Sequence, residues 1–161
     1  MNISILYHSE SGNTESVAEI IEKGCLKVKE VKTKVMSIEE VDIEFVNSSQ
    51  AIILGSPTYT GDISWQMKSF LDRNKKINYK DKLGAVFATE NFIGGGADSA
   101  LLTLISHLLV KGMIVYSAGA SEGKPYTHFG AVCIQAGNKN QKERAEIFGE
   151  RISKKTVELF S

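Results

Sequence analysis

The chain has 161 residues, the usual size of a single domain and enough to bury a hydrophobic core without metals or disulfides. Its 19 lysine and arginine residues balance its 19 aspartate and glutamate residues, so the sequence predicts neither nucleic-acid binding nor a strongly acidic surface. No apolar stretch reaches the roughly 20 residues of a membrane span, and no signal-peptide pattern is present. We therefore expect one cytoplasmic domain over residues 1–161, with a small-molecule ligand and no membrane or nucleic-acid partner.

Five short apolar runs that end in polar residues or glycine predict five buried strands. They are ISILY (3–7), TKVMS (33–37), AIILG (51–55), LGAVFAT (83–89) and MIVYS (113–117). A helical pattern follows each strand. Because strands joined by crossover helices lie parallel with right-handed connections, the sequence predicts a doubly wound α/β fold with a parallel sheet and helices on both faces.

Three of the helices have start or stop signals in the sequence. Ser64 is expected to cap the helix after the third strand. The clearest apolar periodicity covers residues 98–111 and ends at Gly112. The final helix is expected to begin at Asn140, with Glu143 three residues later as in a capping box.

Ligands of open α/β sheets bind outside the carboxyl ends of the strands, which directs attention to the loops 8–14, 56–62 and 90–97. The first reads SESGNT and ends where the first helix begins, so backbone N–H groups and hydroxyls can bind a phosphate there. It contains no lysine or arginine and matches neither the Walker A nor the dinucleotide pattern. A phosphate-binding loop is one interpretation, and simple capping of the helix is the alternative.

The second loop, SPTYTGD, combines a fixed backbone angle at Pro57 with a permissive one at Gly61. Such a turn can direct N–H groups and threonine hydroxyls toward a flat ligand, and Tyr59 either lies along that ligand or covers the loop. The third loop contains three consecutive glycines at 94–96, which leave room for a ring system or form a flexible turn before the helix.

Several segments resemble the flavodoxin-like FMN-binding family. YHSESGNTESVAE (7–19) is similar to the phosphate-binding loop of that family. The segments GSPTYTGDISWQMKSFLDR (55–73), FIGGGADSALLTLISHLLVKGMIV (92–115) and KPYTHFGAVCIQAG (124–137) resemble its WrbA-type NAD(P)H:quinone oxidoreductases more specifically. The resemblance implies a flavodoxin-like sheet of five strands in the order 2-1-3-4-5.

The resemblance also implies an oxidoreductase that passes hydride from NADH or NADPH, the transient reductant, through FMN to a quinone or similar flat acceptor. The flavin would do the chemistry, with no catalytic side chain and no metal, in a homodimer or tetramer. Tyr126 and His128 are the expected substrate contacts. The expected cofactor contacts are Ser9, Glu10, Ser11, Gly12, Asn13, Thr14, Pro57, Thr58, Tyr59, Thr60, Gly61, Asp62, Thr89, Glu90, Asn91, Phe92, Gly94, Gly95 and Gly96.

Two other functions stay open at this point: a flavodoxin-type electron carrier that docks on redox partner proteins, and a flavin-binding regulatory module. The balanced charge favours the reductase, because carriers are usually acidic. Against that, NKKINYKDK (74–82) is shorter than the matching region of WrbA-type proteins, and LLVKGM (108–113) lacks their histidine pair. Glu90 adds a carboxylate near the expected flavin position.

Overall fold

The computed structural model describes residues 1–161 and contains one mixed sheet with helices on both faces. The strands are β1 Asn2–Tyr7, β2 Lys32–Ser37, β3 Ala51–Tyr59, β4 Asp62–Ile63, β5 Leu83–Glu90, β6 Ile114–Val115 and β7 Ala131–Ile134. The helices are α1 Asn13–Cys25, α2 Ile43–Ser48, α3 Trp65–Arg73, α4 Ala97–Val110 and α5 Lys139–Phe160. None of them combines the length and apolar character needed to cross a bilayer.

The sheet confirms the predicted α/β class but not the exact strand count. Its main path is β2-β1-β3-β5-β6, all parallel, and the sheet has seven strands instead of the expected five. The last position is shared by two short strands: β6 pairs with the start of β5, and β7 with its end. The predicted strand 113–117 shortens to Ile114–Val115, because the chain leaves the sheet before Ala118, which has a positive φ of 51°.

The remaining extra strand, β4, forms a hairpin with the end of β3. Thr60 and Gly61 have φ angles of 52° and 74°, the left-handed pair that a two-residue type I′ turn requires. This turn places Tyr59 opposite Asp62. As a result, β3 runs through Pro57 to Tyr59, and part of the expected 56–62 loop is strand.

Side chains that alternate along the strands fill two separate hydrophobic cores. Ile5 and Ile53 point into the core beneath α1 and α5, where Phe148 is also buried. Leu6 and Leu54 point into the opposite core beneath α3 and α4. This period of two explains why the central strands are apolar throughout, since both of their faces are covered.

Glycines allow α1 and α5 to meet backbone to backbone. A Cβ at Gly24 would lie 1.8 Å from the carbonyl oxygen of Glu146, and one at Gly149 would lie 2.1 Å from that of Ile21. No side chain fits at either position, so the two helices pack more closely than any other residue would permit.

The residue that caps α5 lies two positions earlier than the sequence indicates. Asn138, not Asn140, caps it: its side chain accepts from the Gln141 N–H at 3.0 Å, and Gln141 Oε1 accepts from the Asn138 N–H at 3.0 Å. The predicted pair Asn140–Glu143 is therefore wrong. Both pairs fit the capping-box spacing, but Gln141 also accepts from the Ile134 N–H at 3.2 Å, which ties the cap to β7.

Candidate functional site

A cavity of about 320 Å³ lies at the carboxyl ends of β1, β3 and β5. All of its lining residues except Gln135 belong to the predicted cofactor contacts. The lining consists of Ser9, Glu10, Ser11, Asn13, Thr14, Pro57, Thr58, Tyr59, Thr89, Glu90, Asn91 and Gln135. The three loops chosen from the sequence therefore meet around one polar cavity.

The first loop leaves the amino terminus of α1 without a side-chain cap. The N-cap residue is Gly12, with a φ of 84°, and no side chain accepts from the first helical turn. Ser9 Oγ accepts instead from the Gly12 N–H at 3.1 Å, within the loop itself. Helix capping thus does not account for the hydroxyls of this loop, and the free N–H groups of α1 form an anion-binding end.

A buried pair of hydroxyls joins the first loop to the end of β5. Thr14 Oγ1 lies 2.8 Å from Thr89 Oγ1, and the two residues are 1% and 4% exposed. Ser11, by contrast, is exposed and makes no hydrogen bond to the protein through its side chain. The loop therefore contains one hydroxyl that holds the protein together and another that is free for a ligand.

The second loop contains a polar atom without a partner. Thr58 Oγ1 is buried and has no hydrogen bond within the protein, although Thr58 lines the cavity. An unpaired buried hydroxyl is unfavourable, and a polar ligand atom would satisfy it. The neighbouring Tyr59 has its pKa raised by burial and by the nearby carboxylate of Glu10.

The third loop uses Glu90 to cap α4. Glu90 Oε2 accepts from the Ala97 N–H at 3.1 Å, while the N-cap residue Gly96 offers no side chain. A negative charge is favourable at a helix amino terminus, so this carboxylate has a structural role beside the cavity. A Cβ at Gly95 would lie 3.0 Å from the Phe92 carbonyl oxygen and 3.2 Å from Glu90 Oε2, so a side chain there would crowd the loop and the carboxylate.

The glycines at 94–96 do not share one purpose. A Cβ at Gly96 would lie 2.7 Å from Gly61 Cα, so the third loop contacts the β3–β4 turn backbone to backbone. Gly94 has a φ of 79° and open space beside it. Of the three positions, only Gly94 combines a left-handed backbone with free volume.

The other predicted residues lie around the cavity or away from it. Thr60, Asp62 and Phe92 are outside its lining, at the hairpin and on the third loop. Tyr126 lines a different cavity of about 540 Å³ against α5, and His128 is exposed with its ring edge toward Phe129. The structure does not bring Tyr126 or His128 into the lining of the polar cavity.

Gln135 is the lining residue that the sequence interpretation missed. It follows β7, has a φ of 53°, and donates its N–H to the Glu90 carbonyl at 2.7 Å. The available signal was the apolar run AVCI followed by a polar residue, which marks one more strand end at the same edge of the sheet.

The chain has a doubly wound sheet, a hydroxyl-rich loop at the start of α1, and two turns that close one polar cavity. Together these features define a flavodoxin-like protein. The profile of the Flavodoxin family matches residues 5–152, and the chain belongs to this family. Over 160 residues the chain is 49% identical to a flavodoxin of Clostridium saccharobutylicum, covering 99% of this chain and 100% of that protein.

More distant relatives carry other names. A protein of Archaeoglobus fulgidus called NAD(P)H dehydrogenase (quinone) is 27% identical over 190 aligned positions, which cover 98% of both chains. The crystal structure of a flavodoxin, WrbA-like protein from Agrobacterium tumefaciens superimposes with a TM-score of 0.80, covering 98% of each chain at 21% identity. That likeness concerns the fold.

The flavodoxin family implies FMN as the prosthetic group, and the cavity fits it. The uncapped amino terminus of α1 suits a phosphate. The unpartnered Thr58 hydroxyl suits a polar atom of the ligand, and the space beside Gly12 and Gly94 is open.

Proposed function

We propose that this chain is an FMN-binding electron carrier that exchanges electrons with a redox partner protein. The observation that carries the proposal is its 49% identity to a flavodoxin along the whole of both chains. When bound, FMN would supply the redox chemistry, and the protein would supply binding, orientation and electrostatics.

The proposed contacts follow from the lining of the cavity. The N–H groups at the start of α1, with Ser9, Ser11 and Asn13, would bind the phosphate. Thr58 and Tyr59 on one side, and the segment 89–91 on the other, would contact the ring system. The lining has no lysine or arginine, so these neutral donors and the partial charge of the helix terminus would make the direct contacts to the phosphate.

Three exposed apolar side chains supply a candidate contact surface for the partner protein. Trp65, Phe92 and Ile93 are 72%, 66% and 86% exposed. Phe92 and Ile93 follow Asn91 of the cavity, and Trp65 is the first residue of α3, just beyond the β3–β4 hairpin. Large apolar side chains in such a position are typical of protein contacts, and here they would bring a partner close to the cofactor.

The predicted NAD(P)H:quinone reductase is the second candidate. It is favoured by the relatives called NAD(P)H dehydrogenase (quinone) at 27% identity and by the WrbA-like segments of the sequence. The alignment with the Archaeoglobus fulgidus relative needs 190 positions for a chain of 161 residues, so that relative has segments which this chain lacks. If this chain were a reductase, it would have to form its nicotinamide and quinone sites without those additional segments.

Anaerobic mixing of the FMN-loaded protein with NADH or NADPH separates the two functions. A carrier lacks a nicotinamide site, so the flavin absorbance should persist for many minutes, and potentiometry should resolve two well-separated one-electron potentials. A reductase should lose its flavin absorbance within seconds and regain it with benzoquinone. Rapid bleaching by either nucleotide, together with quinone turnover, would reject the carrier in favour of the reductase.

A further inference from the structure

His8 is a buried imidazole beside the first loop: it does not itself line the cavity, but its Nε2 faces Glu10, which does. It follows β1, precedes Ser9 and is 5% exposed. Its Nδ1 lies 2.8 Å from Glu39 Oε1, and a carboxylate oxygen only accepts, so Nδ1 holds a proton in this contact. Its Nε2 is buried without a hydrogen-bond partner and lies 3.8 Å from Glu10 Oε1.

The neutral form of this ring satisfies only one of its two acidic neighbours. With Nδ1–H donated to Glu39, a neutral ring turns the lone pair of Nε2 toward the carboxylate of Glu10. Only the ring protonated on both nitrogens has a donor for each glutamate. The position of His8 is therefore complementary to an imidazolium ion.

The cavity has no positively charged side chain, so only the partial charge at the amino terminus of α1 offsets an anionic ligand. Its only charged lining residues are Glu10 and Glu90, and it includes neither lysine nor arginine. Glu90 is held by the amino terminus of α4, whereas Glu10 lies in the loop that would bind the phosphate. A phosphate monoester carries roughly 1.5 to 2 negative charges at neutral pH. Bound beside Glu10, it would meet another anion.

We propose that His8 determines the preference of the cavity for the phosphorylated flavin: it takes up a proton on Nε2 when FMN binds, and the resulting positive charge offsets the phosphate and Glu10. The inference rests on the proposed cofactor. Histidine is the side chain that ordinarily changes charge between about pH 5 and 8, so this group is suited to the role under physiological conditions. His8 acts as a positioning and specificity residue, not as a catalytic one.

The surrounding charges support this assignment. Burial disfavours ionisation of Glu39, but hydrogen bonds from the Ser37 hydroxyl and from His8 outweigh it and lower the pKa of the Glu39 carboxyl. Glu39 therefore stays ionised and keeps hold of Nδ1–H. On the other side, Gln66 Nε2 donates to Glu10 Oε1 at 2.8 Å, which fixes that carboxylate near the ring. Glu10 and Glu39 are the charged groups within 4 Å of His8.

In this proposal FMN binding favours the protonated ring, so the contribution of His8 to FMN affinity is largest at low pH and is lost as the pH rises. Riboflavin has no phosphate and should show no such contribution. The two ligands thus form a matched pair.

Isothermal titration of the cofactor-free protein with FMN and with riboflavin tests the proposal. In two buffers of different ionisation enthalpy at pH 7.5, FMN binding to the wild type should take up protons and riboflavin binding should not. In His8→Gln the proton uptake that accompanies FMN binding should vanish. The affinity of this variant for FMN should be about tenfold weaker than that of the wild type at pH 6, but less than about twofold weaker at pH 9. Because ionisation of the ligand is common to both proteins, the difference between them isolates His8.

Two further variants sharpen the test. His107 is a half-buried histidine in the last turn of α4, away from the three cavity loops, so His107→Gln should behave as the wild type. Glu10→Gln removes the carboxylate beside Nε2, so it should raise FMN affinity severalfold at pH 9 and reduce the proton uptake at pH 7.5. Glu10 is exposed, so this variant remains informative even if His8→Gln does not fold.

Equal proton uptake in the wild type and His8→Gln would overturn the proposal, as would an equal loss of FMN and riboflavin affinity at every pH. An unchanged FMN affinity at pH 9 together with unchanged proton uptake in Glu10→Gln would also overturn it. FMN binding without these effects leaves the cofactor assignment intact. Failure of the wild type to bind FMN at all would reject the proposed function and this inference together.

Discussion

In the interface between α1 and α5, Gly149 lies against the backbone of the facing helix, whereas a Cβ added at Gly12 or Gly94 in the cavity loops would meet no atom within 4 Å. The interface glycine has no room for a side chain. The loop glycines have room but adopt left-handed backbone angles, with φ of 84° and 79°. Glycine therefore permits a close backbone contact in the core and left-handed backbone angles in the loops.

Two hydroxyl residues of the first loop, Thr14 and Ser11, also differ in whether they serve the fold or are free for a ligand. Thr14 uses its hydroxyl to hold Thr89, in a buried contact that is part of the fold. Ser11 is exposed and leaves its hydroxyl free. Stability and ligand binding are thus assigned to different residues of one short loop, and substitutions can separate them.

The largest effect is expected from Gly149→Ala. The new Cβ would meet the Ile21 carbonyl oxygen at 2.1 Å, so α1 and α5 would have to separate. We expect a loss of about 3 kcal/mol or more in the free energy of unfolding, measured by urea denaturation. The matched control Gly94→Ala adds a methyl group in open space and should lose only about 1–2 kcal/mol through backbone strain. Similar losses in the two variants would remove the contrast between core and site.

Thr14→Ala should affect both stability and binding. It leaves the buried Thr89 hydroxyl without its partner, so we expect unfolding of the cofactor-free protein to become easier by about 1–3 kcal/mol. FMN affinity should fall as well, because the first loop loses its tie to β5. Thr14→Ser keeps the hydroxyl and should recover most of both losses. A Thr14→Ala protein as stable as the wild type would show that the hydroxyl pair does not hold the loop.

Glu90→Ala should have a smaller effect, confined to the start of α4. Losing the hydrogen bond to the Ala97 N–H should lower stability by about 1 kcal/mol in urea denaturation. Glu90→Gln keeps an acceptor and loses only the charge, so it should cost about half as much. If Glu90→Gln were instead the more damaging change, the carboxylate would have another role than capping.

The smallest effect is predicted for Ser11→Ala. The stability of the cofactor-free protein should stay the same, since this hydroxyl has no protein partner. FMN affinity should weaken by about 0.5–1.5 kcal/mol, the value of one hydrogen bond, in a fluorescence titration. Riboflavin affinity should not change. An unaltered FMN affinity would place the phosphate elsewhere.

Local patterns were sufficient for most of the fold. The apolar runs located β1, β3 and β5, and the helix predicted at 98–111 is α4 at Ala97–Val110. The sequence does not predict the β4 hairpin or the early end of β6 at Val115. Both depend on non-glycine residues with positive φ, Thr60 and Ala118. Such angles are set by the surrounding structure, and the residue type does not signal them.

The site was predictable as far as it depends on strand ends. The rule that ligands bind at the carboxyl edge of the sheet selected three loops that line one cavity. It gave no reason to choose Gln135, because AVCI (131–134), which forms β7, is not among the five strands that the sequence predicts. The structural role of Glu90 depends on a contact seven residues along the chain, which composition does not indicate.

Function was the least predictable part. The balanced charge favoured a reductase over a carrier, yet a flavodoxin is 49% identical along the whole chain. Net charge reports on long-range attraction between partners and does not identify the chemistry of a site.

The proposed FMN site is the cavity at the carboxyl ends of β1, β3 and β5. Its occupancy can be measured by titrating FMN with the cofactor-free protein while recording flavin fluorescence. We predict quenching that saturates at one FMN per chain, and weaker binding of riboflavin, which lacks the phosphate that the start of α1 would hold. Fluorescence that stays unchanged at every protein concentration, or equal affinity for FMN and riboflavin, would contradict the account.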